Sequence, residues 1–216
     1  MNDPEAHDDA PLGTDALDGE APVDGRAARA AKTRNAIADA LLDLLAEGRM
    51  RPTAKEIAER AGVSVRSVYV HFDDLEDLHC VSATRFLRRV APMLEPVAVV
   101  GSVEDRAYAL VRQRGRLYAE SGAIGRATRL HAESSRTLER ILRDGRNRSR
   151  AELERVFALE LAPMPEPDRN RVVALLDALC GPETWETVHV RHGLDVESST
   201  RCIADAIVVH LDGTRA

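Results

Sequence analysis

The sequence predicts an all-α protein, built as an N-terminal helix-turn-helix domain followed by a larger helical domain. Three observations carry that prediction. Aromatic residues make up only 3% of the chain, β-branched runs are short, and Ala, Leu and Arg abound. Apolar residues recur at helical spacing along most of the sequence. Between Arg51 and Leu78, RPTAKEIAERAGVSVRSVYVHFDDLEDL reads as two short helices at a tight turn leading into a third. A length of 216 residues accommodates a small domain fused to a larger one.

Met1 to Gly25 is acidic, rich in Ala, Pro and Gly, and without hydrophobic periodicity, so residues 1–25 are expected to form a disordered acidic tail. They hold eight acids and no Lys or Arg. The net charge of −6 is therefore misleading, because the remainder balances 30 basic against 28 acidic residues, or +2. Arg26, Arg29, Lys32 and Arg34 then precede Ile37, Leu41, Leu42, Leu44 and Leu45, the apolar side of a first helix ending near Gly48.

Thr53 and Glu56 have the spacing of a capping box at the start of the second helix, where Ile57 and Ala61 form an apolar stripe. Gly62 suits a left-handed C-terminal position, Val63 plugs the corner, and Ser64 caps the third helix. In that helix Val68 and Phe72 point one way while Arg66 and Val70 point the other. Ser67, Tyr69 and His71 lie on the flanks, and the angle of Val65 leaves its side open. A fourth helix is predicted from about Asp74 to Val90, with an acidic first turn and a stop near Pro92.

Further on, Ser102 caps a helix through about Glu120 carrying Ala107, Leu110, Val111 and Leu117. Gly122 and Gly125 are expected to punctuate the chain before another helix holding Leu130. From about Ser135 a long pattern continues to Phe157 and Leu161, and its basic run Arg143 to Arg150 is expected to be solvated. Pro163, Pro165 and Pro167 end it. A helix over residues 168–192 should kink or split at Gly181-Pro182, and a last one begins after Asp195. These two helices carry more apolar surface than a monomer of this size needs to cover.

Several functional classes lack support. No run approaches the roughly 18 apolar residues of a membrane span, and no secretory leader is evident, so a cytoplasmic protein is expected. Cys80, Cys180 and Cys202 are too scattered for a disulfide framework and are expected to be reduced, mostly buried thiols. His189 and His192 stand three apart at a fraying helix end, which favours a surface pair over a metal site. Nucleophile elbow, phosphate-cradling loop, dinucleotide fingerprint and HExxH are all missing. The sequence therefore predicts no enzyme, no metal and no cofactor.

The string AKEIAERAGVSVRSVYVHFDDLEDL resembles the DNA-binding domain of the TetR (tetracycline-repressor-like) family, and WETVHVRHGLD resembles, more loosely, the C-terminal domain of such regulators. The resemblance implies a DNA-binding domain over residues 26–78 and an effector-binding and dimerisation domain over 79–216. It also implies that the last two long helices pair across a two-fold axis, and if they form the interface a charged residue at Ile207 is expected to give monomers. The expected function is that of a dimeric repressor on a palindromic operator, released by a small-molecule effector. A ligand-independent DNA-binding architectural or co-regulatory protein is the alternative. The expected partners are double-stranded DNA, an unidentified small-molecule effector and a second copy of the chain.

Arg66 is the expected base contact, because a guanidinium pairs bidentately with guanine. Ser67 assists, and Ser64 opens the same helix. Thr53, Tyr69 and His71 fall on family positions that meet phosphates, with Lys55 and Arg34 as additions, while Val65 and Val70 are placed to touch thymine methyls. The sequence departs from the family at Leu75, where the resemblance implies a phosphate-gripping Lys, and Asp73 and Asp74 add negative charge nearby. Tyr108, Arg112, His131, Phe157, Trp185 and His189 are the residues expected to line an effector cavity. For the aromatics among them, plain core packing is the competing expectation.

Overall fold

A computed structural model describes residues 25–213. The expected tail lies outside them except for Gly25, which opens helix α1 (Gly25–Ala46). The second helix, α2 (Ala54–Ala61), begins in the expected capping box. The Thr53 hydroxyl accepts from Glu56 N–H (3.3 Å), and the Glu56 carboxylate accepts from Thr53 N–H (2.8 Å). Gly62 ends it at φ 68°, donating to the Ala58 and Glu59 carbonyls, a conformation that a Cβ would strain. Ser64 caps α3 (Val65–His71), and Asp74 caps α4 (Leu75–Val90) by accepting from Asp77 N–H at 2.8 Å. A 3-10 turn, Ala91–Leu94, contains Pro92 and closes this section.

Four helices and part of a fifth enclose one core. Ile37, Leu41 and Leu45 of α1 meet Ile57 of α2, Val68 and Phe72 from the turn region, and Leu78, Phe86 and Val90 of α4. Ile124 and Ala127 complete it from α5 (Val103–Ala132), whose thirty residues make it about 45 Å long. The expected break at Gly122 and Gly125 does not occur. Both lie inside α5, where an added Cβ would meet only arginine tips at 3.6 Å, so neither is demanded by packing. Gly115 is the position that packing demands, because a Cβ there would sit 2.4 Å from Trp185 Cη2.

The second core surrounds the other half of α5. Leu110 and Val111 pack with Leu153 and Val156 of α6 (Arg136–Val156), with Val173 and Leu176 of α8 (Glu166–Leu179), and with Ile203, Ile207 and Leu211 of α10 (Val196–Gly213). The Arg143–Arg150 run stays helical on the exposed side of α6. The apolar pattern towards Leu161 is not one helix, since the backbone breaks at Phe157 into the short α7 (Ala158–Leu161). That break turns Phe157 and Glu160 inward together. Glu160 meets Arg106 of α5 through two contacts, at 2.7 and 2.9 Å, with 4% and 3% of the two side chains exposed. Arg106 also donates to the Val156 carbonyl at 2.6 Å.

The chain splits at Gly181 as expected, into α8 and α9 (Pro182–Trp185), which runs into a π-helical turn, Glu186–Arg191. Asp195 then opens α10, accepting from Ser198 N–H at 2.8 Å. Two expectations need correction. Ile207 is fully buried in the core of this chain, because α10 turns that side towards α5. Of the thiols only Cys180 is buried; Cys80 is half-buried and Cys202 is exposed. No helix among the described residues is long and apolar enough to cross a membrane.

A third, small cluster of Ala83, Ala132 and Leu138 joins α4 to the α5–α6 corner. Beside it the His79 ring stacks on His131 with centroids 3.9 Å apart. Burial, and then the like charge of His131, pulls the His79 imidazole down to about 4 from an ordinary value near 6.5.

Two predictions come from this packing. Gly115→Ala should lower thermal stability by about 1–3 kcal/mol through overpacking against Trp185. Gly122→Ala, in the same helix, should raise it by about 0.5–1 kcal/mol, as denaturation midpoints would register. Because the folded state binds the His79 proton less readily than the unfolded state, the associated stability is complete above about pH 6.5. It should fall by about 3 kcal/mol as the pH drops towards 4. His79→Leu should flatten that part of a stability–pH profile, and an unchanged slope would place the acid sensitivity elsewhere.

Candidate nucleic-acid interface

The outer face of α3 follows from its inner one. Val68 and Phe72 are buried in the N-terminal core, where α3 packs on α1 and α2, so the residues half a turn away must face solvent. Val70 is 70% exposed, and Val65, Arg66 and Tyr69 are exposed beside it. This settles Val65, which belongs to the outward face. Arg66 has no hydrogen-bond or ion-pair partner among the described residues. At the start of α3 Ser64 Oγ accepts from Ser67 N–H (3.1 Å), and the two hydroxyls lie 3.0 Å apart. A free guanidinium, two hydroxyls, a phenol and two small apolar side chains therefore share one short convex surface.

Other predicted contacts have structural partners. The Arg34 guanidinium donates to the His71 carbonyl, faces Asp77 at 3.6 Å, and lies 4.2 Å over the Phe72 ring. It ties α1 to the end of α3 and the start of α4, which makes it a positioning residue for the outward face. Thr53 is engaged in its capping box, with its hydroxyl also donating to Glu56 at 2.8 Å. Lys55 is exposed, 3.9 Å from Glu59 across one turn, a pair too loose and solvated to hold it. His71 is half-buried at the last turn of α3. Leu75 packs against the N-terminal core, which accounts for an apolar residue at that helix start. Asp73 and Asp74 stay exposed below α3, while Arg34 offsets Asp77.

The six residues expected to line an effector cavity are not gathered around one space. Phe157 and Trp185 are buried in the second core. The Tyr108 hydroxyl donates to Glu197 at 2.6 Å on the surface, and Arg112 is exposed. His189 Nδ1 lies 2.7 Å from the Leu194 carbonyl, its ring 5.2 Å from that of Trp185. His131 stands apart from all of these, at the junction with the helix-turn-helix, where Nε2 donates to the Met50 carbonyl (3.2 Å). Among the described residues no three His, Cys, Asp or Glu side chains are placed to share a metal ion. Sequence reasoning missed His79. Its position one residue after the inward Leu78 and three before the buried Ser82 was the available signal.

Comparison with known proteins bears on this geometry. Residues 37–79, from the first buried residue of α1 to His79, match the family described as bacterial regulatory proteins, tetR family. Among solved structures, a tetR-family transcriptional regulator from Streptomyces coelicolor is similar at 17% identity, with 83% of this chain and 80% of that chain covered and a TM-score of 0.65. A transcriptional regulator from a Rhodococcus species gives 20% identity, coverage of 82% and 96%, and a TM-score of 0.64. A TetR transcription regulator from Haloarcula marismortui gives 18%, 85% and 98%, and 0.63. Identities this low speak for the fold. No curated protein sequence matches the chain. Residues 37–79 thus match the model of the bacterial regulatory proteins of the tetR family, and the chain as a whole has the fold of these solved regulators.

Proposed function

We propose that this protein is a transcriptional repressor that works as a homodimer, with one α3 per subunit reading half of a palindromic operator and a small-molecule effector releasing it. The observation that carries the reading is the outward face of α3. Arg66 is exposed and unpartnered among the described residues, on a helix capped by the Ser64 side chain, packed behind the Thr53-capped α2 and held by the Arg34 tie. Arg66 serves as the base contact, Val65 and Val70 meet thymine methyls, and Ser67, Tyr69 and Lys55 serve the backbone.

The dimer reading rests on α8 and α10. These helices pack on each other and leave Leu175 and Val209 exposed, Val209 at 72%, beside exposed Cys202 and Ala206. A second copy would cover that apolar strip. Effector release requires a ligand with different affinity for DNA-competent and DNA-incompetent dimers.

Selection of bound duplexes from a random pool should return a palindromic consensus. Arg66→Ala should relax it at one position per half-site, at a cost of about 1–3 kcal/mol, without loss of thermal stability. Uniform weakening across all sequences would make Arg66 a phosphate contact. Val209→Asp should convert the dimer to a folded monomer in sedimentation equilibrium, whereas charge at Ile207 would unfold the subunit. A Val209→Asp protein that stays dimeric would move the interface off α10.

A further inference from the structure

A cavity of about 370 Å³ opens where the helix-turn-helix meets the larger domain. Three helix starts supply its walls: Arg51 to Ala54 at α2, Leu75 and Glu76 at α4, and Ser134 and Ser135 at α6. His131 closes it from the end of α5. The positive ends of three helices thus face one volume. Each already has its own cap, so these ends alone do not make a site.

His79 supplies the independent observation. It lines the cavity with only 7% of its surface exposed, and its ring has no hydrogen-bond partner among the described residues. Its one described interaction is the stack on His131, whose Nε2 is already committed to the Met50 carbonyl. The ring nitrogens are not among the buried polar atoms that lack a partner, so they open onto the cavity, where a group arriving from outside can meet them. At the rim Arg51 is exposed and likewise has no ion-pair partner among the described residues, while Glu76 is the only acid in the lining. The floor is apolar, with Pro52, Leu75 and Leu138.

We propose that this junction cavity binds a small aromatic carboxylate, its carboxylate held between His79 and Arg51 and its ring lying on Pro52, Leu75 and Leu138. The volume is at the small end of ligand pockets and suits a single ring. Inorganic phosphate would satisfy the polar side and leave the apolar floor wet. The titratable and charged groups around His79 are His131 on α5, Glu76 on α4 and Arg51 before α2, with α6 adding only hydroxyls and Leu138. An anion beside the ring raises its proton affinity, so binding draws in a proton below neutral pH. The regulatory consequence rests on the DNA-binding function proposed above. A ligand wedged between α2, α4 and α6 would set the angle of the helix-turn-helix against the body. Occupancy itself does not depend on that function.

The test is calorimetry of the full chain with benzoate, without DNA, at pH 5.5 in two buffers of different ionisation heat. The expected result is saturable binding, one per chain, with proton uptake and a dissociation constant below about 1 mM. His79→Leu should abolish the proton uptake and weaken binding at least about tenfold. Arg51→Gln, an exposed change that leaves the fold alone, should weaken binding about tenfold with proton uptake retained. No saturable binding, equal binding by both variants, or phosphate binding as tight as benzoate would each overturn the proposal. A chain that binds benzoate but no DNA would sink the repressor reading alone, and a DNA-binding chain indifferent to benzoate would sink this inference alone.

Discussion

Helix α5 is buried twice. Its first half gives Ala107, Leu110 and Val111 to the larger core, and its second half gives Ile124 and Ala127 to the core of the helix-turn-helix. One rigid rod therefore fixes the distance and rotation between the two bodies, because a helix cannot satisfy both cores if it bends or slides by a residue. Gly115 sits between the two regions, where the rod must pass close to Trp185. Helix propensity opposes a glycine there by about 1 kcal/mol, yet the indole leaves no room for any side chain. The α9 turn that carries Trp185 is docked by the same contact, so the shape of the larger domain depends on a missing methyl group in the middle of its longest helix.

The electrostatics of the outward face depend on how the nearby acids are held. Asp74 is occupied as a cap and Asp77 faces Arg34, which leaves Asp73 as the exposed carboxylate least engaged by the protein. Arg34 thus contributes in two ways, as a tie on the His71 carbonyl and as a counter-charge to α4. Its guanidinium geometry allows both at once, where a lysine would offer a single point charge. The basic side chains Arg29 and Lys32 lie exposed on the preceding turns of α1, next to this face. Local charge here is more favourable to a polyanion than the whole-chain balance suggests.

The helix-turn-helix was readable from sequence because its determinants are local. A capping box needs Thr53 and Glu56 three residues apart, a left-handed stop needs Gly62, and the inner face needs Val68 and Phe72 four apart. Each of these can be seen without knowing what packs against it. The larger domain was less readable because its determinants are tertiary. Gly115, Gly122 and Gly125 look alike in the sequence, and only the position of Trp185 separates them. Ile207 and Val209 are both apolar on α10, and which one is buried depends on where α5 lies. The break at Phe157 has no proline or glycine to announce it. It follows from the pairing of Glu160 with an arginine 54 residues earlier.

That pair and the His79 ring present two outcomes for a polar group inside a helical protein. Arg106 and Glu160 are removed from water together, joined by two hydrogen bonds, with the Val156 carbonyl taking a third. Desolvating two charges costs several kcal/mol, and the attraction regained roughly offsets it, so the pair adds little net stability over apolar residues of the same volume. Its effect is on register, since only one setting of α7 against α5 brings both groups into reach. His79 has no such partner within the protein, and it avoids the cost of a buried charge by staying neutral. The paired ions lie deep in one body, where nothing needs to move. The unpaired imidazole lies where two bodies meet over an open cavity, at the place in this fold where a bound group would touch both.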